Sequence, residues 1–191
     1  MRLFVAAELD KPVKDALRAA QRRLRQFDGM VRWVGEEQMH LTLKFLGEVA
    51  DGRLPEIEQA VASAAAASDP FELHVQGAGC FPPHGKARVV WVGLDDSAGQ
   101  TVACQRRVED ELQGAGFPAE RRPFTPHLTL GRVRDDHSNG ELRRCVEGLA
   151  APELCQPVNS IVLMQSELTP QGARYTRLGV CELGRGEDLG D

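Results

Sequence analysis

The tetrapeptide His-Leu-Thr-Leu occurs twice, at His40-Leu41-Thr42-Leu43 and at His127-Leu128-Thr129-Leu130, each time inside a run of strand-forming residues. Side chains alternate along a strand, so each copy puts its histidine and threonine on one face and its two leucines on the other. The leucines anchor a core, while one imidazole and one hydroxyl stay available. Two such strands brought together supply a proton donor, a proton acceptor and two hydroxyl donors around a small oxyanion. An unperturbed imidazole titrates near ~6.5, so close to neutral pH one ring can accept a proton while its partner donates one. This equipment suits cleavage of a phosphodiester without a metal ion.

Other candidates flank the two copies. Lys44 falls by alternation on the face of His40 and Thr42 and is expected to add positive charge there. Strict alternation sends Arg132 to the buried side with Leu128 and Leu130, unless Gly131 allows a bulge that turns it toward the site. Arg122 and Phe124, just upstream of the second copy, and Tyr175 are kept as further substrate contacts. His74, His84 and His137 read as solvated or loop residues, and Trp33 and Trp91, in apolar runs, as core. No two histidines stand four apart in the zinc-binding pattern and no acids cluster with them, so neither metal nor cofactor is expected.

The elements that must position these groups follow from periodicity. A strand over residues 2–8 leads through Asp10 and Pro12 into an amphipathic helix reaching about Phe27, with Lys11, Lys14, Arg18, Arg22 and Arg25 forming a basic, solvated stripe. A short strand at 31–34 and the first motif strand, running to Gly47, come next. A helix buries Leu54, Ile57, Val61 and Ala65, and a strand spans 71–76. The pattern then restarts. A strand over 87–94 precedes a helix capped by Ser97 and Gln100 that buries Cys104, Val108 and Leu112 and ends at Gly114, Gly116 and Pro118. The second motif strand, a helix near 141–149, a strand over 158–168, a turn at Thr169-Pro170-Gln171-Gly172 and a last strand over 174–183 complete the chain. Each half thus runs strand, helix, strand, helix, strand. The expected fold is α+β and bilobal: two antiparallel sheets with outer helices, related by a pseudo-two-fold internal duplication, with the cleft between the lobes. Residues 1–183 form one domain, and the tail from 184 to 191 is expected to be disordered.

The 191 residues, 42% hydrophobic and 27% charged, have the proportions of a soluble domain with a real core. A net charge of −5 argues against a general nucleic-acid coat but not against an enzyme acting on RNA ends, which needs only a local basic patch. The amino terminus is too short an apolar run for a signal peptide, no segment is long and apolar enough to span a bilayer, and five cysteines lack any Cys-x-x-Cys pair. A cytoplasmic protein without an obligate protein partner is expected.

Trp33 followed by His40-Leu-Thr-Leu-Lys-Phe-Leu-Gly47, and Arg122-Pro-Phe-Thr-Pro-His127-Leu-Thr-Leu-Gly-Arg132, resemble the 2H phosphoesterase superfamily, and within it the bacterial and archaeal RNA 2′,3′-cyclic phosphodiesterases, also called 2′-5′ RNA ligases. The resemblance runs over roughly residues 1–183, with support from Arg2-Leu-Phe-Val-Ala, Ala87-Arg-Val-Val-Trp-Val-Gly-Leu94 and Ser166-Glu-Leu-Thr-Pro-Gln-Gly-Ala-Arg-Tyr175. It implies motifs on facing strands and opening of a 2′,3′-cyclic phosphate at an RNA or nucleotide end to a 2′-phosphomonoester, with His127 as proton acceptor, His40 as proton donor and Thr42 and Thr129 on non-bridging oxygens. Reversible 2′-5′ RNA ligation and a non-catalytic RNA- or nucleotide-binding role are the competing expectations.

Overall fold

The structure, a computed structural model, describes residues 1–150, 153–169 and 172–184. The expected turn at Pro170 and Gln171 and the tail beyond Gly184 lie outside the described residues. Among the described residues nine strands are present: β1 (Arg2–Glu8), β2 (Val31–Trp33), β3 (His40–Glu48), β4 (Phe71–Phe81), β5 (Val89–Asp95), β6 (His127–Val133), β7 (Leu154–Val158), β8 (Ser160–Thr169) and β9 (Gly172–Glu182). Four α-helices among the described residues join them: α1 (Lys11–Arg23), α2 (Leu54–Ala66), α3 (Gln100–Gly114) and α4 (Glu141–Glu147). None of these is long and apolar enough to cross a membrane.

All pairings are antiparallel, in the order β7-β4-β5-β6-β3-β1-β8-β9, with β2 added beside β6. The two expected sheets are the halves β7-β4-β5-β6 and β3-β1-β8-β9. They meet at a single residue pair, Leu41 with Leu128. The duplicated halves of the sequence do not each build one half-sheet. β4 crosses to pair with β5, and β8 returns to pair with β1, so β4 of the first repeat and β8 of the second each extend the other's sheet. β7 is an element that periodicity did not reveal. It is five residues long, carries Pro157, and pairs only with β4, the edge position where a proline costs no ladder hydrogen bond.

One face of the sheet carries the helices. Leu3, Val5 and Ala7 of β1, Leu41 and Leu43 of β3, and Leu128 and Leu130 of β6 pack there against Leu17, Ile57, Val108 and Leu142 of the four helices in the main core. The other face is open and bears a small apolar patch of Phe4, Ala6, Val162 and Met164 with Tyr175. Ser97 does not cap α3 as expected. Asp96 does so, its two carboxylate oxygens accepting from the Thr101 and Val102 amides at 2.8 and 3.0 Å, an arrangement that a single hydroxyl cannot make.

Candidate active site

The seam between the half-sheets runs between the two motif strands. They therefore lie side by side rather than facing one another across a gap. With Leu41 opposite Leu128 in an antiparallel ladder, His40 stands across from Thr129 and Thr42 across from His127. All four side chains point to the open face, away from the leucines, and all four are half-buried. They form a quadrilateral with histidines on one diagonal and threonines on the other, and in a regular ladder such diagonals span about 7–8 Å. Among the described residues neither threonine hydroxyl is engaged in a hydrogen bond within the chain.

Each imidazole is set by its neighbours. His127 donates from Nδ1 to the Thr125 carbonyl at 2.7 Å, which leaves Nε2 with its lone pair toward the open face. Its ring meets Phe81 edge-on at 5.0 Å, with Trp91 at 6.5 Å. His40 stacks on Phe4 at 4.8 Å and meets Tyr175 edge-on at 5.4 Å. The Gln38 carbonyl, two residues upstream, is its polar backbone neighbour, favouring its protonated form without the close hydrogen bond seen at His127. Glu8, opposite His40 on β1, is tied to Arg177 at 2.9 Å.

Burial against these aromatics lowers both imidazoles, His40 to about 4 and His127 in the same direction, its decrease aided by the nearby charge of Arg132. Both rings are therefore neutral near pH 7. A depressed pKa means that the unfolded chain takes up the proton first, so the stability linked to His40 is full above pH 6.5 and is lost as pH falls toward about 4. The free energy of unfolding is expected to decline across that window by up to about 1.4 kcal/mol per pH unit from this group. His40→Asn should flatten the decline, as read from denaturant melts at about pH 7, 5.5 and 4.5.

Two matching bulges decide which other side chains reach the open face. In β3, Val5 pairs with Lys44 and Ala6 with Thr42, so Leu43 has no partner on β1. In β6, Val90 pairs with Gly131 and Trp91 with Thr129, so Leu130 has no partner on β5. One extra residue reverses the parity of the residues that follow it, up to the next irregularity. Lys44, expected beside His40, instead turns to the helix-covered side, where it is buried, with Nζ 2.6 Å from Glu109 and donating to the Pro118 carbonyl at 3.0 Å. Phe45 takes its place on the open face, 60% exposed and 5.8 Å from Phe4. In β6 the same displacement turns Arg132 outward, exposed, as the Gly131 alternative allowed. The Leu130 bulge is pinned: its carbonyl accepts from the Val34 amide and from Gln21 Nε2, both at 2.9 Å.

Of the remaining candidates, Tyr175 is at the site through its contact with His40, whereas Phe124 packs partly buried against the main core and is not among the aromatics around either histidine. Arg122 is exposed in the loop before β6. Trp91, read as core, lies on the open face, its ring so close over Gly79 that a Cβ there would come within 2.5 Å. Phe4, Phe81 and Phe45 are site aromatics that the motif pattern does not single out. For Phe4 a signal exists: it has the opposite parity to the buried Leu3 and Val5. Donor atoms of Glu72, His74 and Cys155 lie within 4.8 Å of one another, so the cluster with metal-ligand spacing among the described residues is elsewhere, on exposed positions of β4 and β7, and excludes both motif histidines.

Comparison with known proteins places these features in context. The model of the family described as LigT like Phosphoesterase matches the chain twice, over residues 8–91 and 92–175, once for each motif. A protein of Methanothermobacter thermautotrophicus named RNA 2′,3′-cyclic phosphodiesterase is 36% identical over 96% of this chain and 99% of its own length. A Thermus thermophilus protein of the same name is 35% identical over 98% of this chain and 92% of its own length. A crystal structure from Thermus thermophilus superposes with a TM-score of 0.80 at 30% identity, covering 96% of this chain and 98% of the other. The apo Escherichia coli LigT structure shares the fold at a TM-score of 0.75 and 24% identity, over the same shares of the two chains.

Proposed function

The chain belongs to the LigT-like phosphoesterase family, within the 2H phosphoesterases, and from that premise we propose that it hydrolyses 2′,3′-cyclic phosphates at RNA or nucleotide ends to 2′-phosphomonoesters by two-histidine acid-base catalysis without a metal ion. The names of its relatives support cyclic phosphodiester hydrolysis as the reaction class. The observation that carries the mechanism is the alternation of corners on the open face. In-line displacement at phosphorus puts the attacking water and the departing oxygen on one axis and the non-bridging oxygens off it. Two imidazoles on one diagonal serve the axis, and two hydroxyls on the other donate to the oxygens that gain charge in the transition state.

His127 is the acceptor, because its Nδ1 already donates to the Thr125 carbonyl and leaves Nε2 as the basic nitrogen. It takes a proton from water as the new bond to phosphorus forms. The bond from phosphorus to the 3′ oxygen breaks as protonated His40 donates to that oxygen, leaving the phosphate on the 2′ oxygen. His40, lowered by burial, releases its proton readily, and the bound phosphodiester anion supplies the charge that lets it carry one. Arg132 adds positive charge from the same face, Tyr175 borders the His40 ring, and Phe45 offers an exposed ring for a base.

The test is turnover of an oligonucleotide ending in 2′,3′-cyclic phosphate with excess EDTA present, followed by phosphorus NMR. A 2′-phosphomonoester formed at an undiminished rate is expected. Loss of activity on chelation, or a 3′-phosphate product, overturns the mechanism. Because both free-enzyme pKa values lie below 6.5, kcat/KM is expected to be bell-shaped with its maximum below about pH 6, and kcat to peak at higher pH, where the bound anion favours the imidazolium.

A further inference from the structure

Arg32 of β2 pairs directly with Arg132 of β6, so the two arginines leave neighbouring strands on the same, open face. Like charges directly opposite one another destabilise a sheet. Both are exposed, and among the described residues neither has a carboxylate within ion-pair distance. Arg132 is close enough for its charge to act on both His127 and Tyr175. Arg32 reaches the other way: its Nη2 lies 3.1 Å from where a Cβ on Gly172 would stand, at the start of β9. There a cavity of about 780 Å³ opens, with Arg32, Gln38, Arg174 and Tyr175 in its wall. Tyr175, through its contact with His40, is shared by the cavity and the candidate active site. Of the two carboxylates in the wall, Glu36 is paired with Arg18 at 2.7 Å, which leaves Glu37 against the two guanidiniums of Arg32 and Arg174 and a net positive wall.

We propose that Arg32, backed by Arg132, binds the phosphodiester on the 5′ side of the terminal nucleotide, and that the adjoining cavity receives the nucleoside before it. The inference rests on the assignment of the cyclic phosphate to the two histidine motifs. Arg132 is three residue steps along β6 from Thr129, at most about 10 Å, and the bulge shortens that path. The long arms of two arginines then cover the interval between neighbouring phosphates. Two arginines that leave adjacent strands on one face can converge on a single anion as a fork. The substrate class is thereby narrowed to RNA ends of at least two nucleotides, in preference to mononucleotide or other small cyclic phosphates.

Three substrates isolate the added phosphate: uridine 2′,3′-cyclic phosphate, its 5′-phosphorylated form, and UpU ending in 2′,3′-cyclic phosphate. For the unaltered chain, kcat/KM is expected to rise about tenfold or more when the 5′ phosphate is added, mainly through KM, the size of a charge-assisted hydrogen bond. Arg32→Gln should bring the ratio between phosphorylated and unphosphorylated substrates close to one, with Arg32→Lys keeping part of it. In Arg32→Gln the salt slope of binding should fall by about 0.7, one phosphate on a single strand. Its thermal midpoint should hold or rise, because the like-charge pair is relieved, whereas a structural role predicts a fall. Equal kcat/KM on all three substrates, or an Arg32→Gln variant that loses the same factor on each, overturns the subsite. No turnover of any of the three by the unaltered chain overturns the cyclic-phosphate reading itself, and the subsite with it.

Discussion

Replacing either motif histidine with alanine is expected to lower kcat on a 2′,3′-cyclic phosphate at least about a hundredfold, the usual contribution of a positioned acid or base. The double variant should cost little more than the worse single one, because acid and base serve one transition state and neither completes the proton traffic alone. Loss of fold does not explain such a result. Both rings project from the open face, and the leucines beside them carry the packing. Equilibrium unfolding near pH 7 should therefore change little. The pH profile separates the roles. His127→Ala should lose the acid limb of kcat/KM, since no group remains whose deprotonation is needed. His40→Ala should lose the alkaline limb. The opposite pattern would exchange acceptor and donor, and a variant at full rate would remove that histidine from the chemistry. Thr42→Val and Thr129→Val keep shape and β-propensity but delete the donor, and each should lower kcat by a smaller factor.

The four corner residues are legible in the sequence because two leucines and a strand period of two are enough to sort faces over a four-residue motif. The period fails one residue later. A bulge at Leu43 and another at Leu130 each invert the parity of the residues that follow, so alternation puts Lys44 on the wrong face and leaves Arg132 between two. The glycine after Leu130 hints at irregularity, while nothing after Leu43 does. Element order is also readable, including the repeat. The exchange of β4 and β8 between half-sheets is not, because it depends on which edges meet in space and not on local preference. The aromatics around the imidazoles show the same limit. Trp91 reads as core because its strand is apolar throughout, and for Phe4 only parity within an equally apolar strand tells the faces apart. These strands are apolar on both faces for two different reasons, one face packing helices and the other lowering the pKa of a histidine.

Lys44 yields the largest expected effect on stability. Its ammonium and the Glu109 carboxylate are both largely buried, at 4% and 15% exposure, and lie 2.6 Å apart. The same carboxylate accepts from the Glu120 amide at 2.7 Å, and Lys44 holds the Pro118 carbonyl, so the pair ties β3 and α3 to the segment that leads toward the second motif. Lys44→Ala leaves an unpaired buried carboxylate and a cavity. It is expected to destabilise the chain by about 3–5 kcal/mol, the usual result of breaking such a pair from one side. For a chain of this size that is a fall of roughly 6–20 °C in thermal midpoint. Lys44→Met combined with Glu109→Leu removes both charges and fills the space, and should recover most of the loss, because a buried pair gains little over well-packed apolar side chains. The catalytic consequence differs from that of a cation touching substrate. Below its melting range Lys44→Ala should keep its kcat and the salt dependence of KM, both measured on folded protein. A large rise in KM with stability intact would return Lys44 to the open face and contradict the register of β3 on β1.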